Sequence, residues 1–526
     1  MIKSLKKIFI LVLFLGIFLT NIPTTKAAIV LLPNQNQAPK MITMSLYGDS
    51  STMAFNYNTA WETDTILQVV KQGQDFTDDN ITEFVGSTTK SQVLNDGFIH
   101  KVVATGLAED TAYNYRLGDK ELDNWSDVGT FTTRDNSNSL RFIHISDPQG
   151  YEEIHYDNYN ELLTRAVSNS NPNFIALTGD VVNASYVDAV PNLEQWHWAL
   201  TDQKEILQNI PVMATSGNHD AAHNDFNSRF NFNAAENSET LTGVYYSFDY
   251  NNTHFVVLNT NDSNSENGQL RGLSDAQINW LINDLSTNDS NFTIVMMHKG
   301  IYDSGGHCSN MEGADGDIAL IRKQLTPIFT QYKVDLVLQG HDHLYSRSYP
   351  IISTDAAEFS VTADKENQKV PTVYNNLDFN MYQNPIGAIY LNSGTASGSK
   401  YYAPVAYDEN LIPIEVTDGS SDRMYTEIVI EGDNLYATVY KLNNKKLTVF
   451  DTFGISKTSN ANIPNNPDNP NNPSVDNNSP AETQDYTLLI VLSIVLVVAI
   501  LTVVILVVLK KKRGGNNEKY SFKERE

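Results

Sequence analysis

Apolar and polar positions divide the chain into stretches of different texture. Between about Ala38 and Thr133 the apolar runs are short, alternating or rich in β-branched and aromatic residues: Met41 to Leu46, Thr65 to Val70, His100 to Thr105, Ala112 to Leu117 and Gly129 to Thr133. Gly, Asp and Asn punctuate them, which is the pattern of a small β-sandwich over residues 38–134. From Leu140 the texture changes to strands alternating with helices, the signature of a layered α/β domain, assigned to residues 139–455. Its strand candidates are Leu140 to Ser146, Phe174 to Thr178, Val212 to Thr215, His254 to Leu258, Phe292 to Met297 and Val334 to Leu338. Helical periodicity lies between them at Asn160 to Val167, Leu193 to Leu207 and Asp275 to Leu285, the last with Ser274 as N-cap. Gly387 to Gly394 reads as one more strand entering a glycine loop that would line a pocket. Tyr425 to Ile430, Leu435 to Leu442 and Leu447 to Phe453 then make a closing β-meander.

Two longer apolar stretches frame this body. Met1 to Ala28 carries Lys3, Lys6 and Lys7, then the run Ile8 to Leu19, then Thr25-Lys26-Ala27, which together read as a secretory signal over residues 1–27. Thr487 to Leu509 is 23 residues without a charge, long enough to cross ~30 Å of hydrocarbon as a transmembrane helix. Lys510-Lys511-Lys512-Arg513 follows at once and would keep the tail, residues 510–526, in the cytoplasm. Ser456 to Asp485 is Asn, Pro and Ser with hardly an apolar group, so residues 456–486 read as a disordered stalk. The expected organisation is a single-pass type I protein of the cell membrane with its folded body outside.

Charge narrows the partners. The whole chain carries a formal net charge of -26, and leaving out the four lysines of residues 1–27 and the seven basic and three acidic residues from Lys510 onward leaves -34. Such a surface repels nucleic acid and anionic headgroups, so no nucleic-acid partner is expected, and an anionic substrate would need local positive charge such as bound metal. The one cysteine, Cys308, excludes an intramolecular disulfide. An exported chain so poor in cysteine fits a Gram-positive-like bacterial surface better than an animal secretory pathway.

The chemistry lies in what ends each strand. The α/β strands deliver Asp147, Asp180, Asn218-His219, His298 and His341 with His343. The carboxyl ends of strands in an open α/β sheet share a crevice. Carboxylate, amide oxygen and imidazole are ligands that hard or borderline divalent metals favour.

Two resemblances bear on these residues. The stretch from His100 to Leu107, followed by Thr111 to Arg116, Trp125 and Phe131, resembles the fibronectin type III-like domain that precedes the catalytic domain in purple acid phosphatases. The series Asp147-Pro148-Gln149, Gly179-Asp180, Gly217-Asn218-His219-Asp220, His298 and Gly340-His341-Asp342-His343 resembles the five-block signature of calcineurin-like metallophosphoesterases. Gly340 to Pro350, with Tyr345 and Arg347, is similar to the purple acid phosphatase branch. The fold implied is a two-sheet sandwich flanked by helices, behind an all-β sandwich. By the same resemblance Asp180 would bridge two metal ions, with Asp147 and His343 on the first and Asn218, His298 and His341 on the second. Two cations ~3.5–4 Å apart share a carboxylate, acidify a bound water to hydroxide and neutralise a phosphate during in-line attack. His219, and Asn218 beside it, would meet the phosphate ester, His219 protonating the leaving oxygen while Asp220 orients its imidazole. His307 matches a histidine that contacts substrate in the phosphatase branch.

Two departures from the family pattern follow. Gln149 stands where the wider superfamily has a ligand histidine, and Asn183 stands where the purple branch has a tyrosine. The first ion would therefore keep only Asp147, Asp180 and His343 unless Gln149 or Asn183 supplies an amide oxygen or supports the ligands by hydrogen bonds. The protein should not be purple, and its metals are open among iron, manganese and zinc. The reading is a surface-anchored dimetal phosphoesterase acting on a small-molecule phosphomonoester. A phosphodiesterase or nucleotide hydrolase is the alternative enzyme, and a metal-binding surface adhesion protein the alternative of another class. The oligomeric state is not read from the sequence.

Overall fold

The computed structural model describes residues 38–457, apart from residues 94 and 136 and the segments 185–192, 222–224, 267–268, 310–315 and 354–360. The signal segment, the apolar stretch Thr487 to Leu509, the basic tail and all but the first two residues of the stalk lie outside the described residues. Among the described residues, no helix is long and apolar enough to cross a membrane.

Residues 40–132 form a β-sandwich. One antiparallel sheet runs in the order Lys40–Leu46, Met53–Thr59, Phe98–Ala104, Ser87–Lys90, and the other in the order Thr82–Val85, Ile66–Lys71, Ala112–Asp119, Asn124–Trp125, with Gly129–Thr132 also on Ala112–Asp119. Alternation places Phe55, Tyr57, Leu67, Val69, Val102, Tyr115, Leu117 and Phe131 in the core. The Met53–Thr59 strand is missing from the sequence-based set, because it is buried on both faces. The catalytic-type domain covers the second face: Asn56 Nδ2 donates to the Ser228 carbonyl at 3.2 Å.

That second domain is built on two facing sheets. The eight-stranded one orders Val212–Ala214, Phe174–Leu177, Ser139–Ile145, Arg423–Glu431, Asn434–Asn443, Lys446–Ser456, Leu377–Gln383 and Lys369–Tyr374. The seven-stranded one orders Tyr246–Tyr250, Thr253–Val257, Phe292–Lys299, Leu336–Gly340, Ile389–Ser393, Tyr345–Ser348 and Ile414–Asp418. The first three strands of the former are mutually parallel, as are Thr253–Val257, Phe292–Lys299, Leu336–Gly340 and Ile389–Ser393 of the latter. Parallel strands covered on both faces read as continuous apolar runs. Successive residues face different cores: Phe255, Ile294 and Leu336 pack between the sheets, whereas Val256, Val295 and Val337 pack under the outer helices.

Helices cover both outer faces. Glu153–Ser170 packs on the first sheet, and Asp275–Thr287 and Gly316–Gln331 on the second. Ser274 caps its helix as expected, its hydroxyl accepting from Gln277 N at 3.2 Å. The segment Leu193 to Leu207 is not one helix. It is broken into a turn of helix Leu193–Trp196, a wider π turn His197–Thr201 and Lys204–Leu207. The closing meander runs one residue past the sequence-based boundary at 455, because Ser456 pairs with Asn434. Lys457 is also anchored, its ammonium 2.7 Å from the buried Asp335 carboxylate. The two-sheet sandwich flanked by helices, behind an all-β sandwich, is the expected fold.

The sandwich is fused to this body through buried polar links. Arg229 is fully buried between Asp96 of the sandwich at 2.8 Å and Asp225 at 2.5 Å, and Trp196 Nε1 donates to Asp225 Oδ2 at 2.6 Å. Tyr115 OH donates to the Gln208 carbonyl at 3.0 Å, and Ser45 Oγ to the Val212 carbonyl at 3.2 Å.

Candidate metal centre

Three of the parallel strands hand the chain to a turn in which the polar residue takes a left-handed backbone, whereas His298 still lies within its own strand, Phe292–Lys299. Asp147 follows Ser139–Ile145 with φ 52°, Asp180 follows Phe174–Leu177 with φ 49°, and His341 and His343 follow Leu336–Gly340 with φ 79° and 45°. Strained backbone of this kind persists where the surroundings over-determine it and concentrates at functional sites. Close backbone approach explains two of the glycines. A Cβ on Gly217 would lie 2.1 Å from Asp180 N and Oδ1, and one on Gly340 2.0 Å from Ser146 Oγ and 2.7 Å from Asp147 Oδ2.

The turns converge. Donor atoms of Asp147, Asp180 and His343 lie within 4.8 Å of one another, as do those of Asp180, His298 and His341, so Asp180 belongs to both groups. His298 Nε2 is 3.3 Å from Asp180 Oδ1 and 2.9 Å from Asn218 Oδ1, and His343 Nε2 is 3.4 Å from Asp147 Oδ1. His298 Nδ1 faces the Thr178 carbonyl at 2.8 Å and His343 Nδ1 the Lys400 carbonyl at 3.3 Å. A carbonyl only accepts, so in each ring Nδ1 carries the proton and Nε2 is left facing inward, the usual support of a metal-binding imidazole.

Electrostatics fits the same purpose. Burial pushes the Asp147 carboxyl up to about 7, with the Asp180 charge adding to it and His298 opposing. Burial acts on Asp180 too, but the charge and hydrogen bond of His298 hold it well below the usual carboxylate range. His298 is lifted to about 9 against its own burial by Asp180 and Asp147. His343 is pushed down to about 3 by burial, and His341 falls well below its usual value through burial and the neighbouring His298 and His307. Neutral imidazole is the metal-binding form, which His341 and His343 already present, whereas His298 would give up its Nε2 proton on binding an ion. Two fully buried carboxylates side by side need compensating positive charge, and His298 supplies part of it here. Asp147, Asp180 and His343, with Asp180, Asn218, His298 and His341, thus offer the donor set of a dinuclear metal centre.

The remaining sequence-based candidates fall around this centre with one correction. His219 donates its backbone N–H to Asp180 Oδ1 at 2.9 Å, and its Nδ1 meets the Ala184 carbonyl at 2.8 Å. Asp220 does not orient that imidazole. Its carboxylate accepts from the backbone of Val181 at 2.8 Å, Val182 at 3.1 Å and Gly217 at 3.0 Å, tying the Asp180 turn to the Asn218 turn. Burial, then the Asp180 charge, raises it to about 8. His307 sits over the centre, its ring 4.6 Å from that of His341. Gln149 also points inward, but through its amide nitrogen, which donates to Asp180 Oδ2 at 2.8 Å and lies 3.1 Å from His343 Nε2. Asn183 Oδ1 is 2.6 Å from Lys400 Nζ. The sequence reading missed Lys400 and Tyr402, whose ring lies 5.1 Å from that of His343 and 5.8 Å from that of His307. The available signal was the glycine loop after Gly387 to Gly394, which reaches the pocket mouth a few residues later.

Comparison with known proteins matches both folded domains. Residues 140–345 match the calcineurin-like phosphoesterase family and residues 39–133 the purple acid phosphatase N-terminal domain. Purple acid phosphatase 23 of Arabidopsis thaliana is 25% identical over 281 residues, 48% of this chain and 58% of its own length. Acid phosphatase type 7 of Mus musculus is 24% identical over 329 residues, 58% of this chain and 66% of its own length. The chain thus spans little more than half the length of the first curated relatives it matches. A purple acid phosphatase from yellow lupin (Lupinus luteus) seeds shares the fold, with a TM-score of 0.59 at 17% identity over 80% of this chain and 75% of the other. The structure of PhoD does so with a TM-score of 0.55 at 14% identity over 81% and 92%. The chain therefore carries a calcineurin-like metallophosphoesterase domain behind a purple acid phosphatase N-terminal domain.

Proposed function

We propose that this chain is an extracellular, membrane-anchored, metal-dependent phosphoric ester hydrolase that acts on phosphomonoesters. The observation that carries the reading is the pair of buried donor groups sharing Asp180, with His219 and His307 at their edge. Asp147, Asp180 and His343 would hold one ion, and Asp180, Asn218, His298 and His341 the other. The ions would supply positive charge toward the phosphate and acidity for a water. Asp180, which belongs to both donor groups, would serve both ions. His219, fixed at Nδ1 by the Ala184 carbonyl, has Nε2 available to protonate the leaving oxygen. The placement of His307 next to His341 favours a monoester, whose extra anionic oxygen can use a further donor.

Export and anchoring rest on the signal segment and on Thr487 to Leu509 with its basic flank. Protease treatment of intact cells should release the folded body, and a chain ending at residue 486 should appear in the medium. Retention of that shortened chain in the cell would count against the anchor. The activity is tested on the purified full chain, stripped of metal and reloaded with iron, manganese or zinc singly, using an aryl phosphate monoester and a bis-aryl diester. Monoester turnover restored by metal and lost in Asp180→Asn is expected. A clear preference for the diester would replace the monoester reading, and two tightly bound ions with no turnover of either ester would favour an adhesion role.

A further inference from the structure

The loop after Ile389–Ser393 is stitched onto the Asp147 turn. Ala396 N donates to the Ser146 carbonyl at 3.0 Å, Thr395 Oγ1 to the Asp147 carbonyl at 3.2 Å, and Ser397 Oγ to the Gln149 carbonyl at 3.0 Å, which the Ser399 hydroxyl also reaches. This fixes Lys400 beside the position of the first ion. Its ammonium donates to Gln149 Oε1 at 2.7 Å and Asn183 Oδ1 at 2.6 Å, while its carbonyl meets His343 Nδ1. An ammonium has donors only, so both amide oxygens must turn toward it. These are the two oxygens the sequence offered as extra ligands for the first ion. What faces Asp180 instead is the Gln149 amide nitrogen.

We propose that Lys400 is a protein-borne cation of this site, with two functions: its remaining N–H binds an anionic oxygen of the phosphate ester, and its charge weakens the first metal position. The proposal rests on the phosphoesterase reading above. Two of the three ammonium protons go to Gln149 and Asn183 among the described residues, and the Tyr151 ring lies 5.2 Å from the ammonium, which aims the side chain and leaves one N–H for an oxygen of the ligand. Lys400 is one amide group away from Asp180, and Tyr402, two residues on, packs between His343 and His307 at the same mouth. A positive charge there attracts a phosphate oxygen and repels a metal ion. The same residue therefore has opposite effects on the two ligands.

The test uses the full chain, metal-free, as wild type, Lys400→Met and Lys400→Arg. Manganese is titrated calorimetrically, followed by inorganic phosphate on the loaded protein, with thermal unfolding as a check on folding. Loss of the charge in Lys400→Met should tighten the weaker manganese site and weaken phosphate binding, each by roughly tenfold. Lys400→Arg should restore phosphate affinity in large part. If Lys400 only holds the loop, Lys400→Met will weaken both ligands or neither, and the proposal fails. A wild-type chain that binds none of manganese, zinc and iron would overturn the phosphoesterase reading itself, whereas two bound ions with phosphate affinity indifferent to residue 400 would overturn only this inference.

Discussion

One methyl group at residue 217 tests whether the shared carboxylate governs the whole site. In Gly217→Ala the new Cβ would stand 2.1 Å from both Asp180 N and Asp180 Oδ1 and 2.7 Å from Asp180 Cα, where ordinary contact begins at 3.4 Å. Something must therefore move by about 1.3 Å, and neither neighbour is free to yield. The Asp180 backbone is already left-handed, and its Oδ1 accepts from His219 N while its Oδ2 accepts from Gln149. Gly217 N is itself held by Asp220 at 3.0 Å. Because Asp180 serves both donor groups, its displacement spoils two ion positions at once. A misplacement of ~1 Å costs on the order of 10²-fold in rate, and overpacking of this kind costs about 1–3 kcal/mol of stability. The assay is turnover of an aryl phosphate together with bound metal per chain, with Gly306→Ala, where an added Cβ meets nothing within 4 Å, as the control. A Gly217→Ala chain with wild-type metal content and turnover would refute the reasoning.

Three further outcomes are expected. Iron-loaded protein should lack an intense visible band, since Asn183 replaces the tyrosine of the purple branch; a band abolished by Tyr402→Phe, the tyrosine packed on His343, would contradict this. His254 is held up to about 9, against its burial, by the hydrogen bonds its ring nitrogens donate to Asp249 at 2.7 Å and Asp284 at 2.8 Å. Its folded value exceeds the unfolded 6.5, so its stabilisation is complete below about pH 6.5 and is lost as pH rises through 9, a change of order 1–3 kcal/mol given the exposed Asp249. The stability gap between wild type and His254→Gln should therefore shrink between pH 6 and pH 9.5 in urea unfolding, and a gap independent of pH would exclude the ion pair as its source. Asp96→Asn should cost about 3–5 kcal/mol by leaving buried Arg229 half-paired, and unfolding should separate into two transitions as the sandwich uncouples; an unchanged single transition would argue that the apolar interface alone joins the domains.

The ligands were legible because each lies at or just past the carboxyl end of an apolar strand, where a short polar block stands out from its surroundings. Asp147, Asp180, His298, His341 and His343 needed only that pattern. Elements were lost where one-dimensional patterns mislead. Gly316–Gln331 holds Pro327 inside the helix, and a proline ordinarily argues for a break. The hairpin Lys369–Tyr374 with Leu377–Gln383 leaves Val370 and Val373 exposed and buries only Phe379, Met381 and Tyr382, yet its turn was readable: Asn375-Asn376, both with positive φ, is a two-residue connection of the primed kind. Asp220 was assigned to His219 because the two are adjacent in sequence. In a sharp turn adjacent side chains diverge, and backbone N–H groups of the Asp180 turn and of Gly217 in its own turn claimed the carboxylate.

Lys400 lies at the opposite limit of what a sequence can disclose. The glycine loop before it marks only the place, since its meaning comes from Gln149 and Asn183, more than two hundred residues earlier, and from what those residues replace. A ligand histidine or tyrosine would have brought a donor to the first ion; an amide can face either way, and here the partner on its far side decides. With an ammonium as that partner, both amide oxygens face outward and the inner position receives N–H groups and positive charge. Under the proposal, the lack of the usual extra ligand, histidine or tyrosine, and the presence of the lysine form a single coupled arrangement. It shifts charge compensation from the first metal ion to the protein, which is why metal affinity and phosphate affinity should move in opposite directions when residue 400 is altered.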